Sequence, residues 1–393
     1  MVSSIYGGIF AGTLAGMISI GYLGDTLGRS NTYLYTIYFA VVSTAVCTFA
    51  TFGGKLSVEL VLVICRLFIG YACGGFFPLS AAENFEEAGS DAAVEGISVM
   101  TLGQLLPYLL GAICALWKGI EHSPVKLDWS MHFILFMGII PYLCALPFAL
   151  RHSEAENLGR SPAPAQGAGL STISDMANVI LMPQYRWKLL ACGVCWFLYD
   201  AVGFWIGLYS PTILEEVFYN DDFYNNMIQN VYANLTCVIA AGISIIVLKY
   251  RILNSSMFLV IGAFIMGSCF AWLGYAWSAG QSRELIFAIF LLCRFSTWIG
   301  VPHCTYLLPN EIFPREIRST CNGLAAAMGK LGALCGIFVI PNIGLSTVGC
   351  FGVCAALCGL NMVVAAAVLI PTQVMREAAE SGREETPLLS DPI

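Results

Sequence analysis

Long apolar runs separated by short polar clusters dominate the chain. They fall near residues 3–23, 31–52, 57–82, 92–117, 128–150, 187–213, 226–248, 255–277, 284–308, 317–340 and 347–370. Each is about 20 residues or slightly more, the length an α-helix needs to cross a hydrocarbon core of ~30 Å. A membrane barrel would instead alternate over segments of about 10 residues. The pattern predicts an all-α membrane protein with eleven transmembrane helices in groups of five and six. Between the groups lies the longest polar stretch, Arg151 to Arg186, whose SPAPAQGAG run suits a flexible connector. The expected domains are an N-terminal bundle over 1–150, a linker over 151–186, a C-terminal six-helix bundle over 187–371 and a tail over 372–393.

Composition agrees. Of the 393 residues, 58% are hydrophobic and 11% charged, and a soluble protein that apolar would expose contiguous greasy surface. The lipid bilayer is therefore an expected partner. The net charge of -7 belongs to loops and tail and points to no nucleic acid. Basic residues sort by loop: Arg29, Arg151, Arg160, Arg186, Lys188, Lys249, Arg251, Arg315, Arg318, Arg376 and Arg383 lie on one side, and Lys55, Lys118, Lys126 and Arg283 on the other. The richer side is predicted to be cytoplasmic, together with the linker and tail. The loop Glu83 to Glu95 is acidic and departs from this bias, but acidic residues weigh little in orientation. The 16 cysteines are spread singly through apolar segments, as packing residues are, and the CxxC of Cys192 and Cys195 has no second pair beside it. No nucleophile and base pair or metal cluster is evident, so neither an enzyme nor a resident cofactor is expected. No cleavable signal precedes the first run, which lacks a basic leader.

A few polar residues interrupt the apolar runs. Lys330 stands alone in GLAAAMGKLGA, and an ionisable group at bilayer depth costs roughly 2.5–3.5 kcal/mol on insertion scales, so a functional role is its default reading. The halves also carry a weak internal repeat. CRLFIG begins at Cys65 and Arg66, CRFSTWIG at Cys293 and Arg294, and each is followed by a proline and a glutamate: Pro78 and Glu86, then Pro309 and Glu311. Continued in step, the repeat sets Gln104 opposite Lys330. The segment holding Asp200 then has no partner, and its mate would precede residue 1.

The junction GYLGDTLGR places Asp25 and Arg29 about one turn apart among glycines, between two predicted membrane helices on the inner side. It resembles the loop between helices 2 and 3 of the major facilitator superfamily, which makes the first segment here the family's helix 2 and leaves helix 1 missing from a twelve-helix pattern. Three stretches are similar to the proton-coupled inorganic phosphate symporters within that superfamily: RLFIGYACGGFFPLSAAE, WFLYDAVGFWIGLYSPTIL and PNEIFPREIRSTCNGLAAAMGKLGA. The resemblance runs from residue 5 to about 372. It implies a two-bundle major facilitator fold in which Gln104, Trp196, Asp200 and Lys330 line a substrate cavity and a proton is co-transported through Asp200. The chemistry of these residues agrees, since ammonium, amide and indole all donate to oxyanion acceptors. Asp200, four residues after Trp196 and so on the same helix face, is placed to pair with Lys330 when the site is empty and to take a proton as substrate arrives. Read without the family, Gln104 is also suited to bonding a neighbouring helix, Trp196 to packing, and Asp200 with Lys330 to a purely structural ion pair.

The charges at helix ends and junctions, Asp25, Arg29, Arg66, Glu86, Arg294, Glu311 and Arg315, read as conformational-gating residues, with Arg66 and Arg294 tied to helix ends or carbonyls. His303 reads as a packing histidine. The chain departs from the phosphate pattern where Phe76 and Phe77 replace Asp and Tyr, Phe204 replaces Tyr and Pro302 replaces Asn. The expected function is proton-coupled symport of inorganic phosphate by alternating access. The alternatives are transport of another small solute, such as an organic anion or a sugar, and a non-transporting sensor or truncated product. Glu384 with Leu388 and Leu389 fits an acidic dileucine signal for a sorting adaptor, which would place the protein in a vacuolar or endolysosomal membrane rather than the plasma membrane. The sequons at Asn234 and Asn254 fall in a membrane segment and a cytoplasmic loop, where they carry no argument.

Overall fold

In the computed structural model, the described residues are 2–50, 58–117, 123–157, 177–178, 181–218, 223–314 and 317–375. Arg315 and the tail motif Glu384 to Leu389 lie outside them, as do the side chains of Asp25, Arg29 and Glu86. Among the described residues the structure is helical, with 11 stretches long and apolar enough to cross a membrane. The first half comprises α1 (Val2–Leu27), α2 (Arg29–Ala50), α3 (Val58–Ala115), α4 (Pro124–Met137) and α5 (Ile140–Asn157). The second comprises α6 (Pro183–Leu208), α7 (Ser210–Phe218), α8 (Phe223–Lys249), α9 (Ser255–Ser278), α10 (Arg283–Ser296), α11 (Val301–Ile312), α12 (Arg318–Val339) and α13 (Thr347–Val364), the last continued by a π-turn at Ala365–Leu369. Large apolar side chains such as Val42, Phe49, Leu60, Ile113, Ile239 and Phe264 point outward along the spans. In water such a surface aggregates; in a bilayer it is solvated by lipid tails.

Three connections differ from the sequence reading. The GYLGDTLGR stretch is helical as far as Leu27, and the chain turns on Gly28 alone, at φ 95°; such a left-handed angle favours glycine because it has no Cβ. The acidic stretch Glu83 to Glu95, expected as a loop, continues the helical backbone of α3, which therefore carries two membrane spans. A straight helix would hold Arg66 and Gln104 about 57 Å apart, yet both line one cavity, so α3 turns back on itself between its spans. The fifth span is broken between α4 and α5. There Pro141 lacks the N–H that would have continued the hydrogen-bond series.

The ninth span is also discontinuous, and this break positions the site. Gly300, at φ 73°, separates α10 from α11, and a Cβ there would lie 2.6 Å from the Phe258 carbonyl oxygen. Backbone groups freed at membrane depth need other partners. Ser244 Oγ of α8 donates to the Trp298 carbonyl at 3.0 Å and accepts from the Gly300 N–H at 3.2 Å. Tyr199 of α6 donates to the Thr297 carbonyl at 3.0 Å. Ser244→Ala strands both the Trp298 and Gly300 groups, so it is expected to destabilise the protein by about 1–3 kcal/mol. The check is thermal unfolding in detergent, and an unchanged midpoint removes Ser244 as the support of the break.

The halves meet at both ends of the spans. At the predicted outer end, Phe10 of α1 packs on Ala333 and Ile337 of α12 and edge-on against Phe204, ring centroids 4.6 Å apart. At the predicted cytoplasmic end, Ser98 Oγ and His303 Nε2 lie 2.9 Å apart, Ser80 Oγ and Tyr306 Oη 3.4 Å, and Glu95 and Lys249 pair at 3.0 Å. His303 thus packs, as expected, and also bonds across the two halves.

Candidate functional site

A cavity of ≈ 370 Å³ lies between the halves, walled by α3 on one side and by α6, α8, α10, α11 and α12 on the other. Part of its wall comes from α6 and α12, which pack against each other. Gly332 and Gly336 lie one turn apart on α12, against the carbonyls of Phe197 and Ala201, so the two backbones touch where any side chain would intrude. Lys330, two residues before Gly332, is thereby brought to Asp200, three residues after Phe197. Lys330 Nζ donates to Asp200 Oδ2 at 2.8 Å, and both residues are buried. Charges at that depth persist because each compensates the other. Two aromatic faces add to the compensation of the ammonium, with Phe204 at 4.3 Å and Phe77 at 5.4 Å from Nζ to ring centroid.

The four residues expected to line a substrate cavity, Gln104, Trp196, Asp200 and Lys330, all line this one. Among the described residues, neither the Gln104 amide nor the Trp196 indole N–H has a protein hydrogen-bond partner, which leaves them as donors to whatever occupies the space. Two residues grouped with the gating charges also belong to the wall: Arg66 of α3 and Arg294 of α10. The wall thus holds three cationic side chains, Arg66, Arg294 and Lys330, against one carboxylate, Asp200. Glu311 sits elsewhere, accepting from Ser255 Oγ at 3.0 Å and from Gln373 Nε2 at 3.5 Å near the start of α9. Phe77, Phe204 and Pro302 line the cavity, whereas Phe76 packs against Tyr33 and Tyr142.

The sequence profile of the Major Facilitator Superfamily matches residues 1–336. The chain belongs to the major facilitator superfamily. As a facilitator chain with 11 membrane-capable helices among the described residues, it is a multi-pass membrane protein. Its sequence is 30% identical over 356 residues to Inorganic phosphate transporter PT2 of Toxoplasma gondii, covering 86% of this chain and 59% of that protein. It is 27% identical to Low affinity inorganic phosphate transporter 4 of Lotus japonicus, covering 86% of this chain and 73% of that one. The facilitator fold is also that of the proton:xylose symporter XylE solved with 6-bromo-6-deoxy-D-glucose, at TM-score 0.71 and 17% identity, covering 92% and 83% of the two chains. The human organic anion transporter MFSD10 superposes at TM-score 0.65 and 18% identity, covering 93% and 83%. The resemblance to phosphate symporters is thus matched by relatives named for phosphate, and the solved facilitators share the fold.

Two of the wall residues not read as substrate-binding are Arg294, grouped with the gating charges, and Asn234. Arg294 lies mid-segment in an apolar run, and the cost argument made for Lys330 applies to it equally. Asn234 was read as an unused sequon, although its side chain holds Arg294: Nη2 donates to Asn234 Oδ1 at 3.2 Å.

Proposed function

We propose that the protein is a proton-coupled symporter of inorganic phosphate that works by alternating access. The observation that carries this reading is the cavity wall between the halves, which among the described residues holds three cations, one carboxylate and two neutral donors without a protein partner. A polyanion is the ligand such a wall attracts, because its cationic side chains outnumber its carboxylates and net charge is costly in low dielectric. The relatives named as inorganic phosphate transporters support phosphate as that anion.

The Asp200–Lys330 pair supplies a coupling device. With the site empty, the carboxylate neutralises the ammonium at 2.8 Å. A proton taken by Asp200 removes that neutralisation, and Lys330 is released to a phosphate oxygen. Departure of phosphate restores the need for the carboxylate, which expels the proton. Substrate and proton thus enter and leave together without any covalent step. The contacts at the two ends, Phe10 with Phe204 and Ser98 with His303, are placed to open alternately as the halves rock.

The test is uptake of labelled phosphate into proteoliposomes of the purified chain under an inward proton gradient. Uptake that collapses with a protonophore supports the reading; no uptake in either gradient direction sinks it. A second reading, transport of an organic anion, is favoured by the Phe77 and Phe204 faces around Lys330, which suit an apolar body bearing a carboxylate. Competition of carboxylates against phosphate in the same vesicles separates the two.

A further inference from the structure

We propose that Arg294, held by a series of asparagines on α8, is a second anion-docking group in the cavity and the first to meet the substrate. The inference rests on the anion-transport reading above and assigns that site a contact distinct from Lys330.

The two cations differ in how fully they are occupied. Lys330 is bonded to Asp200 and capped by two rings. Arg294, equally buried at 3% exposure, also lines the cavity. Its one hydrogen bond among the described residues goes to Asn234, no carboxylate pairs with it, and its Nε is buried with no partner. An arginine tying down helix ends would place its N–H groups on carbonyls, and a guanidinium has five such hydrogens to place. Its position in the last turn of α10 helps a cation there, by the helix dipole, without using those donors. Gly207 keeps the space beside the guanidinium open, since a Cβ there would lie 3.3 Å from Nη1.

The support behind Arg294 is built and directional. Asn226, Asn230 and Asn234 lie one turn apart along α8 from its outer end. Asn226 Nδ2 donates to the Pro211 carbonyl at 3.1 Å, Asn230 Nδ2 to the Asn226 carbonyl at 2.9 Å, and Asn234 Nδ2 to the Asn230 carbonyl at 2.8 Å. Ser210 Oγ donates to Asn230 Oδ1 at 2.7 Å. With Nδ2 so engaged, Asn234 presents its oxygen to Arg294 and fixes the guanidinium without neutralising it. A planar fork held in place, permanently charged and short of acceptors, is the group that recognises phosphate or carboxylate oxygens. An anion held there leaves Lys330 on Asp200 until the carboxylate is protonated, so docking precedes coupling.

Binding of labelled phosphate to the purified full chain, by scintillation proximity, tests this with Arg294→Gln and Asn234→Asp. The second variant keeps the arginine but sets a carboxylate against it, in exchange for the Nδ2 bond to the Asn230 carbonyl. Both are expected to weaken phosphate binding at least about tenfold, with Asn234→Asp still folded because its new ion pair with Arg294 offsets the lost bond. If Arg294→Gln fails to fold, Asn234→Asp decides. Phosphate binding by the wild type that Asn234→Asp leaves unchanged overturns the docking role while the phosphate reading stands. A wild type that ignores phosphate but binds a carboxylate such as citrate, with both variants weakened, sinks the phosphate reading and upholds Arg294. A wild type that binds neither anion overturns both.

Discussion

Lys330→Met is expected to abolish proton-driven phosphate uptake and to destabilise the protein by about 3–5 kcal/mol, because it strands the buried Asp200 carboxylate. Asp200→Asn is expected to act likewise by stranding the ammonium, whose remaining neighbours are the Phe77 and Phe204 faces. The informative protein is the double variant. Lys330→Met with Asp200→Asn removes both charges while keeping side chains of similar size, and a buried pair replaced as a unit is often close to neutral for stability. The double variant should therefore regain most of the wild-type unfolding midpoint and none of the uptake. Restored stability without transport assigns the pair to function; restored transport would show that the pair serves packing alone. Unfolding in detergent and uptake into vesicles, measured on the same preparations, give both readouts.

Much of this arrangement is legible along the chain, and the physical reason is the bilayer. Apolar runs of about 20 residues declare spans whatever the tertiary context, and the structure has a membrane-capable stretch for each run. Lys330 stood out because charge at that depth is costly, and Asp200 through the resemblance; the structure pairs the two. Hydropathy does not report where a span breaks. The break at Gly300 depends on a left-handed φ and on Ser244, 56 residues away along the chain, reaching its N–H. Without that break, Arg294 reads as one charge midway along a continuous span; with it, Arg294 stands in the last turn of α10, in the cavity wall. Asn234 was obscured differently: a motif meant for glycosylation drew the eye from its spacing with Asn230 and Asn226, which places all three on one face of α8. The acidic run Glu83 to Glu95 looked like a loop because it is polar, yet it carries four glutamates and three alanines, which favour helix, and the backbone there is helical.

Gly332→Leu is expected to leave little folded protein, and even Gly332→Ala should lose stability by more than the ordinary 1–3 kcal/mol of an overpacked core. A Cβ at Gly332 falls on the Phe197 carbonyl, and one at Gly336 on that of Ala201. Neither obstacle is a side chain free to rotate away, so α6 and α12 must separate. The separation acts on the site directly, since Lys330 and Asp200 lie within three residues of the contact and hold each other at 2.8 Å. Small displacements therefore lengthen the ion pair before they unfold the bundle, and Gly332→Ala should lose coupled uptake at temperatures where it is still folded. Gly352→Ala is the control: it also lies in a membrane helix, α13, but a Cβ there meets nothing within 4 Å. Replacing a helical glycine by alanine in open space raises helix propensity by about 1 kcal/mol, so the control should be neutral or stabilised. Wild-type midpoint and uptake in Gly332→Ala would show that the halves of this contact are not in register as described. The close approach of α6 and α12 would then lose its place as the device that brings the two charges together.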